Sequence, residues 1–444
     1  MRWLLAAALV LPPQAQAQVL PRIQLESYRL ANGLSVVLAP DHSTQVVTVN
    51  LWYNVGSRNE VRGRTGFAHL FEHMMFQGSA NVPKGDHFAL IERAGGESNA
   101  STAEDRTNYY AMLPSNRLNL GLWLEADRMR ALAITAENLE NQREAVKEER
   151  RLRVDNQPYA GVIFEGLYAL EDSTRCFPYS HSVLGSMDDL NAAKVEDVKS
   201  FFDLYYAPNN ATLVVAGDLD PTETRALIEL YFGGIPKGQP APPVDCQPSQ
   251  DREEIRRPWP DPKATLPAVF MAYRVPPFND PDYPPLALLT TILGQGESSR
   301  LNKTVVRTQR RAQAGFAGLS LAGPRRGPGA LMVTAIANQG IAVDSLEVAL
   351  AAEVARIARE GVTAAELAKA KNGYVAGKIQ QQQISYFLAE AIQEAAMFLG
   401  GPEKVNSEPA RFLAVTVEDI RRVAAKYLKS TNAAVFVVTP GAAQ

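Results

Sequence analysis

The stretch Gly66-Phe67-Ala68-His69-Leu70-Phe71-Glu72-His73-Met74 decides how the rest of the chain is interpreted. Its apolar residues recur at helical spacing, which predicts a helix with one buried face. His69 and His73 are four residues apart, so both imidazoles project from nearly the same side of that helix. Glu72 lies on the flank of the same side. Two imidazoles and a carboxylate on one helix predict a zinc site, with the histidines as ligands and Glu72 as a base.

A catalytic zinc site needs a third protein ligand. The strongest candidate region is Asn141 to Arg151 (NQREAVKEERR), a charged stretch with helical character. A solvated helix face is the ordinary explanation of such a run. Periodicity alone does not choose between Glu148 and Glu149.

The first residues are typical of a targeting segment. Arg2 precedes the apolar run Trp3 to Pro12, and Ala15-Gln16-Ala17 is a small-x-small cleavage site. This predicts a signal peptide over residues 1–17, a mature start at Gln18, and a periplasmic or secreted protein. The apolar run is too short for a transmembrane helix, so we expect no membrane partner.

Composition limits the possible functions. The 45 basic and 48 acidic residues give a net charge of −3, which argues against a nucleic-acid partner or an anionic membrane surface. About 420 mature residues are enough for two or more domains. In an oxidising compartment Cys176 and Cys246 could form a disulfide, and two free buried thiols are the alternative.

The chain contains an internal repeat. The pattern Leu118, Leu122 and Leu139 recurs at the same spacing as Leu346, Leu350 and Leu367, and a second pattern, Val195, Tyr205 and Ala211, recurs as Val417, Tyr427 and Ala433. Residues 236–262 carry eight prolines and are predicted as a linker. We therefore predict an α+β fold with two homologous domains, 18–235 and 263–444, each a mainly antiparallel sheet packed against helices.

The chemistry is not repeated. The shift that carries Leu139 onto Leu367 carries Glu149 onto Gly377, and no second His-x-x-Glu-His occurs after residue 75. The second domain is therefore predicted to lack a metal site.

These motifs resemble the pitrilysin and mitochondrial-processing-peptidase superfamily of inverzincin zinc peptidases, and in particular its short bacterial two-domain members. The resemblance covers nearly the whole mature chain. The matching stretches are GFAHLFEHMMFQG (66–78), GGESNASTAEDRTNYY (95–110), NQREAVKEERRLRVDNQPY (141–159), PYSHSVLGSMDDL (178–190) and SSRL (298–301).

The resemblance implies a set of site residues. The third zinc ligand in the superfamily is a glutamate at a characteristic distance after the second histidine, and Glu149 fits that distance better than Glu148. The residue seven positions before that ligand supports the site, and here it is Gln142. An edge strand, with Asn99 and Ala100, is expected to bind substrate by β-addition.

The resemblance also implies a second chain. The C-terminal half that faces a zinc site in the superfamily supplies an Arg and a Tyr to the substrate, and four domains enclose a chamber. Arg307 is present here, but Gln313 stands at the Tyr position. We expect a heterodimer with a homologous subunit that lacks zinc, or else a homodimer assisted by Arg307 alone.

The sequence thus predicts a zinc metalloendopeptidase with one Zn²⁺ per chain, which cuts unstructured peptides or protein segments. The alternative is a non-catalytic binding or assembly protein on the same fold, and the metal content of the purified chain would separate the two.

Overall fold

The computed structural model describes residues 20–248, 254–319 and 323–441, and it consists of two similar halves packed against each other. Each half has one mixed sheet covered by helices, so the predicted α+β class with two homologous domains is confirmed. The predicted signal peptide lies outside the described residues. Within the described ranges, no helix has both the length and the apolar character needed to cross a membrane.

The first half is built on a six-stranded sheet with the order β1-β2-β6-β3-β5-β4. Its strands are β1 (Glu26–Arg29), β2 (Ser35–Pro40), β3 (Val46–Tyr53), β4 (Glu97–Thr102), β5 (Thr107–Pro114) and β6 (Ala211–Gly217). Its helices are α1 (Phe67–Met74), α2 (Asp86–Arg93), α3 (Leu118–Arg130), α4 (Ala136–Arg150), α5 (Ala160–Phe164), α6 (Met187–Ala192), α7 (Val195–Tyr205) and α8 (Pro221–Phe232), and a π-helical turn, Arg151–Asp155, continues α4.

The second half has a five-stranded sheet with the order β7-β11-β8-β10-β9. Its strands are β7 (Ile255–Asp261), β8 (Ala268–Val275), β9 (Ala312–Leu319), β10 (Gly329–Ala337) and β11 (Ala433–Pro440). Its helices are α9 (Tyr283–Gly294), α10 (Val343–Glu360), α11 (Ala364–Gln382), α12 (Ser385–Phe398), α13 (Glu408–Leu413) and α14 (Val417–Tyr427), and Asn302–Thr308 is a second π-helical turn.

The internal repeat predicted from the sequence is confirmed by the topology. In each sheet one pair of strands is parallel, β2 with β6 and β7 with β11, and the other pairs are antiparallel. The helices α3 and α4 correspond to α10 and α11, and in each half a later helix leads into an inner strand, α7 into β6 and α14 into β11. Gly377 lies on α11, the counterpart of the helix that carries Glu149.

One predicted boundary is corrected. The predicted linker, 236–262, contains β7, whose residues pair in parallel with β11. The prolines Pro258 and Pro260 that suggested a linker are tolerated because β7 is an edge strand, where an amide is not needed on the outer side. The second domain therefore begins at Ile255 rather than at 263.

Each half covers the second face of the other half's sheet. The helix α12 lies on the first sheet, where the buried Gln393 amide donates to the carbonyl oxygens of Asn50 (3.0 Å) and Thr212 (2.8 Å). In return, Val162 of α5 packs with Phe270 and other core residues of the second sheet. Because both faces of each sheet are covered, the two halves form one continuous packed unit.

A disulfide joins Cys176 to Cys246, 70 residues apart, so the structure selects the bonded alternative. It fastens the segment after β6 and α8 to the loop that follows α5. Closing a loop of this length is expected to stabilise the fold by about 4 kcal/mol. We expect Cys246→Ser to lower the free energy of unfolding by that amount, measured by urea titration under non-reducing conditions. Wild-type protein in reductant should match the variant, and equal stabilities with and without the disulfide would contradict the prediction.

Candidate metal centre

The helix α1 is held in place at its first turn. Gly66 precedes it with a φ of +84°, and a Cβ there would lie 2.9 Å from the carbonyl oxygen of Leu184. The buried Glu60 carboxylate accepts hydrogen bonds from the amides of Gly66 (2.9 Å) and Ala68 (2.8 Å), which satisfies amides that have no partner within the helix. A carboxylate is also favourable at this end of the helix dipole. The two histidines are thereby presented from a fixed helix.

The helix α4 packs against α1 and decides between the two candidate glutamates. The side chain of Glu149 is 19% exposed and points to the histidines, whereas that of Glu148 is 54% exposed and pairs with Arg151 at the surface. The other oxygen of Glu149 pairs with Arg153 at 2.9 Å. Of these two glutamates, Glu149 is the one placed as a third ligand.

The three predicted ligands converge. Oε2 of Glu149 lies 3.1 Å from Nε2 of His73 and 3.5 Å from Nε2 of His69. The candidate ligand atoms of the three residues all lie within 4.8 Å of one another. Two imidazole nitrogens and one carboxylate oxygen, with an open side toward a cleft of about 510 Å³, fit the donor set of a catalytic zinc ion. The residues present therefore fit the metal that the sequence predicts.

The charge states suit a cation. Burial, followed by the neighbouring His73, lowers the pKa of His69 to about 4, so this imidazole is neutral at pH 7 with a lone pair to donate. Burial also lowers the pKa of His73, but the hydrogen bond and charge of Glu149 outweigh it and leave the pKa raised. Burial raises the pKa of Glu149, yet the bond from His73 and the nearby His69 lower it to about 2. Glu149 is therefore ionised at pH 7, and its negative charge favours a cation bound between it and the histidines.

Glu72 lies in the same cleft and is held by a residue of β4. Its Oε2 accepts a hydrogen bond of 2.6 Å from the hydroxyl of Thr102. Burial raises the pKa of Glu72, and the bond from Thr102 opposes that rise. A carboxylate in this position can accept a proton from a water molecule in the cleft and is kept in one orientation while it does so.

Replacement of Thr102 by Val tests this orientation. The change removes one hydrogen bond to Glu72 with little change in volume and leaves the three ligands intact. We expect kcat to fall about tenfold while the bound zinc stays at the wild-type level. The measurement is steady-state peptide hydrolysis with metal analysis of the same sample, and Thr102→Ser should retain most of the activity. A Val variant with wild-type kcat would contradict the role.

The predicted substrate strand lies beside the ligands. β4 is one of the two edge strands of the first sheet, and Asn99 and Ala100 line the cleft with Thr102. Gln142 is buried and lines the cleft, and its side-chain amide donates a hydrogen bond of 2.6 Å to Oδ1 of Asn141. These positions are compatible with the roles predicted for substrate binding and ligand support, and the roles remain predictions.

Arg307 is not brought to this cleft. It lies in the second π-helical turn, on the surface, and pairs with Glu297. Gln313 is exposed on β9, which forms an edge of the second sheet. Within the described residues, the substrate contact predicted for Arg307 is therefore absent from the metal site of its own chain, and it remains a prediction for the site of a second chain.

Sequence reasoning missed residues that only the tertiary structure brings to the site. Thr102 and Arg153 lie within the quoted motifs, but nothing in their spacing links them to Glu72 and Glu149. The apolar residues that end the zinc-helix motif predict core positions, yet Phe76 lines the cleft together with Phe88 and Phe164. An apolar wall beside the ligands offers a surface for an apolar substrate side chain.

Comparison with known proteins identifies the family. The family model described as insulinase (peptidase family M16) matches residues 35–185, and the model described as the peptidase M16 inactive domain matches residues 192–374. A zinc protease of Helicobacter pylori, PqqE, is 30% identical over 94% of this chain and 93% of its own length. The chain belongs to peptidase family M16. The resemblance predicted from the motifs is thereby confirmed.

Solved structures of M16 proteins share the fold. The crystal structure of a protease from Helicobacter pylori matches with a TM-score of 0.88 and 29% identity, covering 94% of this chain and all of the other. The periplasmic protease PqqL of Escherichia coli matches with a TM-score of 0.77 and 21% identity, over 95% of this chain and 48% of that protein. At this lower identity the match to PqqL supports the fold alone.

Proposed function

We propose that this M16 protein is a zinc metalloendopeptidase. The observation that carries the proposal is the convergence of His69, His73 and Glu149 beside Glu72, at the edge of an accessible sheet. The relative PqqE is named a zinc protease, which supports the choice of metal. The imidazole Nε2 atoms and Oε2 of Glu149 would hold Zn²⁺, which supplies a Lewis acid and lowers the pKa of water toward neutrality.

The side chains of this protein perform the proton transfers. Glu72 removes a proton from the attacking water and returns it to the leaving amine. The Thr102 hydroxyl keeps the Glu72 carboxylate directed into the cleft. Arg153 engages the second oxygen of Glu149, which leaves Oε2 directed at the histidines. Glu72 is therefore both the acceptor of the proton from water and the donor of the proton to the leaving amine.

The substrate is proposed to be an unstructured peptide or protein segment. A free edge strand binds an extended chain through its backbone amides and carbonyls, which folded segments do not offer. β4 presents such an edge beside the ligands, with Asn99 and Ala100 at the cleft. Recognition through the backbone predicts loose sequence selectivity.

The location and assembly are part of the same proposal. The signal peptide predicted over residues 1–17 supports export to the periplasm or the outside of the cell. The resemblance implies a chamber of four domains, and this chain supplies two of them, so a second two-domain chain is needed to complete it. Because Gln313 occupies the Tyr position, we favour a homologous subunit without zinc over a homodimer.

The test is peptide hydrolysis by the purified mature chain on a long unstructured peptide, with and without a chelator. Size-exclusion mass analysis of the same sample gives the oligomeric state. We expect zinc-dependent activity that the chelator abolishes and added Zn²⁺ restores. A zinc-loaded chain that is inactive alone would support the requirement for a companion subunit, whereas a chain that neither binds zinc nor cleaves would refute the proposal.

A further inference from the structure

The turn between β4 and β5 lies directly beside the residue that orients the proposed base. β4 ends at Thr102, whose hydroxyl donates to Glu72 at 2.6 Å, and β5 begins at Thr107. The turn carries two acidic residues, Glu104 and Asp105, and both are almost completely buried. Two buried carboxylates in one short turn are costly unless each is paired. The groups that pair with them therefore determine where the turn lies.

Asp105 is held mainly by the first half. Its Oδ1 atom pairs with Nη1 of Arg58 and accepts a hydrogen bond from the Tyr179 hydroxyl, both at 2.8 Å. The amide of Arg326, from the second half, donates to Oδ2 at 3.1 Å. The backbone of the turn is bonded to the first half as well, since the amide of Arg58 donates to the carbonyl oxygen of Glu104 at 3.0 Å. These bonds fix one side of the turn.

Glu104 depends on the second half for its counter-charge. Its Oε1 atom forms an ion pair with Nη2 of Arg325 and accepts a hydrogen bond of 2.8 Å from the Tyr168 hydroxyl. Among the described residues, Arg325 is the only cation that pairs with this carboxylate. The side chains of Arg325 and Glu104 are 13% and 0% exposed, so solvent screens the ion pair little. Removal of Arg325 would leave an unpaired buried charge in the turn.

The second half presents Arg325 from a fixed backbone. The residue lies in the segment 323–328, which precedes β10. Its carbonyl oxygen accepts a hydrogen bond of 3.0 Å from the amide of Phe278. Phe278 is buried with Trp52 of β3 and Phe398 of α12, where the two halves pack against each other. The guanidinium is therefore held in place by the packing between the halves.

The path from Glu104 to the proposed base is short. Glu104 follows Thr102 by two residues, and Thr102 pairs with Thr107 at the end of the β4–β5 ladder. The amide of Ala103 donates to the carbonyl oxygen of Arg106 at 2.9 Å, which closes the turn. A displacement of Glu104 therefore moves the end of β4 and the Thr102 hydroxyl with it. A shift of about 1 Å in a supporting group can lower a catalytic rate about 100-fold.

We propose that Arg325 is a positioning residue for the peptidase reaction. Through its ion pair with Glu104 it fixes the β4–β5 turn, and the turn holds the Thr102 hydroxyl against the Glu72 carboxylate. The half of the protein that carries none of the proposed ligands thereby sets the orientation of the base in the other half. The inference rests on the proposed function, because Glu72 acts as a base only if the chain hydrolyses peptides.

The first test is a double-mutant cycle between Arg325→Gln and Thr102→Val on the zinc-loaded mature chain. We expect Arg325→Gln alone to lower kcat about fivefold, with KM within about threefold of the wild-type value and an unchanged zinc content. In the Thr102→Val background the same change should lower kcat less than about twofold, because the hydrogen bond that it supports is already absent. Losses that multiply in the double variant would overturn the proposal, as would a wild-type kcat in Arg325→Gln.

Three further variants separate positioning from general stability. Arg325→Lys retains the charge and should recover most of the kcat. Arg300→Gln breaks a buried ion pair within the second half, where Arg300 bonds to Glu366 at 2.8 and 2.9 Å, and it should lower Tm while kcat stays at the wild-type level. An equal fall of kcat in Arg300→Gln would reduce the effect to stability and overturn the proposal. If Arg325→Gln fails to fold, Tyr168→Phe removes the other bond to the same Glu104 oxygen and replaces it in the cycle, with a smaller loss of kcat expected.

The second test does not use activity. Hydrogen–deuterium exchange of the zinc-loaded chain should be faster in Arg325→Gln than in the wild type for the amides of residues 102–107, and unchanged for those of α1. Wild-type exchange rates in the turn of the variant would overturn the proposal. A wild-type chain that binds zinc but has no activity would count against the proposed function alone, because exchange still shows whether Arg325 holds the turn.

Discussion

Replacement of Glu72 by Gln is expected to lower kcat for peptide hydrolysis by about 10³-fold while zinc stays bound. Gln keeps the size of the side chain and an oxygen that can accept from the Thr102 hydroxyl, so the cleft should keep its shape. It cannot take a proton from water at neutral pH. The loss therefore isolates proton transfer from metal binding and from substrate binding.

The measurement needs both kinetics and metal content on the same preparation. We expect one zinc per chain in the variant, an unchanged KM within about threefold, and a kcat near the background of the assay. Glu148→Gln is the matched control, because it makes the same chemical change on an exposed side chain that pairs with Arg151. Turnover near the wild-type rate in the Glu72 variant would mean that another group is the base.

The fold was predictable because local patterns and the repeat agree. The strand alternation in Val46–Tyr53 places Val47, Val49 and Leu51 in the first core, as a half-buried strand requires. The opposite face of the same strand carries Thr48 and Asn50, which would suggest solvent. In the structure α12 covers that face. The sequence of the strand itself cannot predict contact with a helix 340 residues away.

The linker error has a related cause. Proline content separates loops from central strands, but it does not separate loops from edge strands. β7 carries Pro258 and Pro260 and pairs with β11 on one side only. The pairing partner is the last strand of the chain, so β7 is specified by a distant contact rather than by its own sequence.

The residues of the candidate site also fall into two groups: those that spacing along the chain brings together, and those that only the tertiary structure brings together. His69, Glu72 and His73 share one helix, so a helical period was enough to group them. Thr102 reaches Glu72 only because β4 lies beside α1, and spacing along the chain gives no sign of this contact.

The duplicated fold carries the candidate metal site in its first half only, within the described residues. The helix pair α1 and α4 carries the proposed ligands, and the equivalent pair α9 and α11 has Gly377 where Glu149 would be. The second half retains its core and its contacts with the first sheet.

Glu149 is the proposed third ligand, which periodicity could not distinguish from Glu148, and its replacement has the second largest expected effect. We expect Glu149→Gln to weaken zinc binding at least about 100-fold, because loss of an outer-shell partner alone costs 10- to 100-fold and a ligand contributes more. The neutral amide also leaves Arg153 without its carboxylate partner. Peptidase activity should fall in parallel and should recover in part at high added Zn²⁺.

The neighbouring glutamate makes this a stringent comparison. Glu148→Gln changes the same charge one residue earlier on α4, where the side chain is exposed and does not approach the histidines. We expect wild-type zinc affinity and activity from it, measured by competition with a chromogenic chelator. If Glu148→Gln lost zinc and Glu149→Gln kept it, the orientation of α4 would be wrong. If neither lost zinc, the third ligand would have to come from another residue, and the assignment built on convergence at Oε2 of Glu149 would fail.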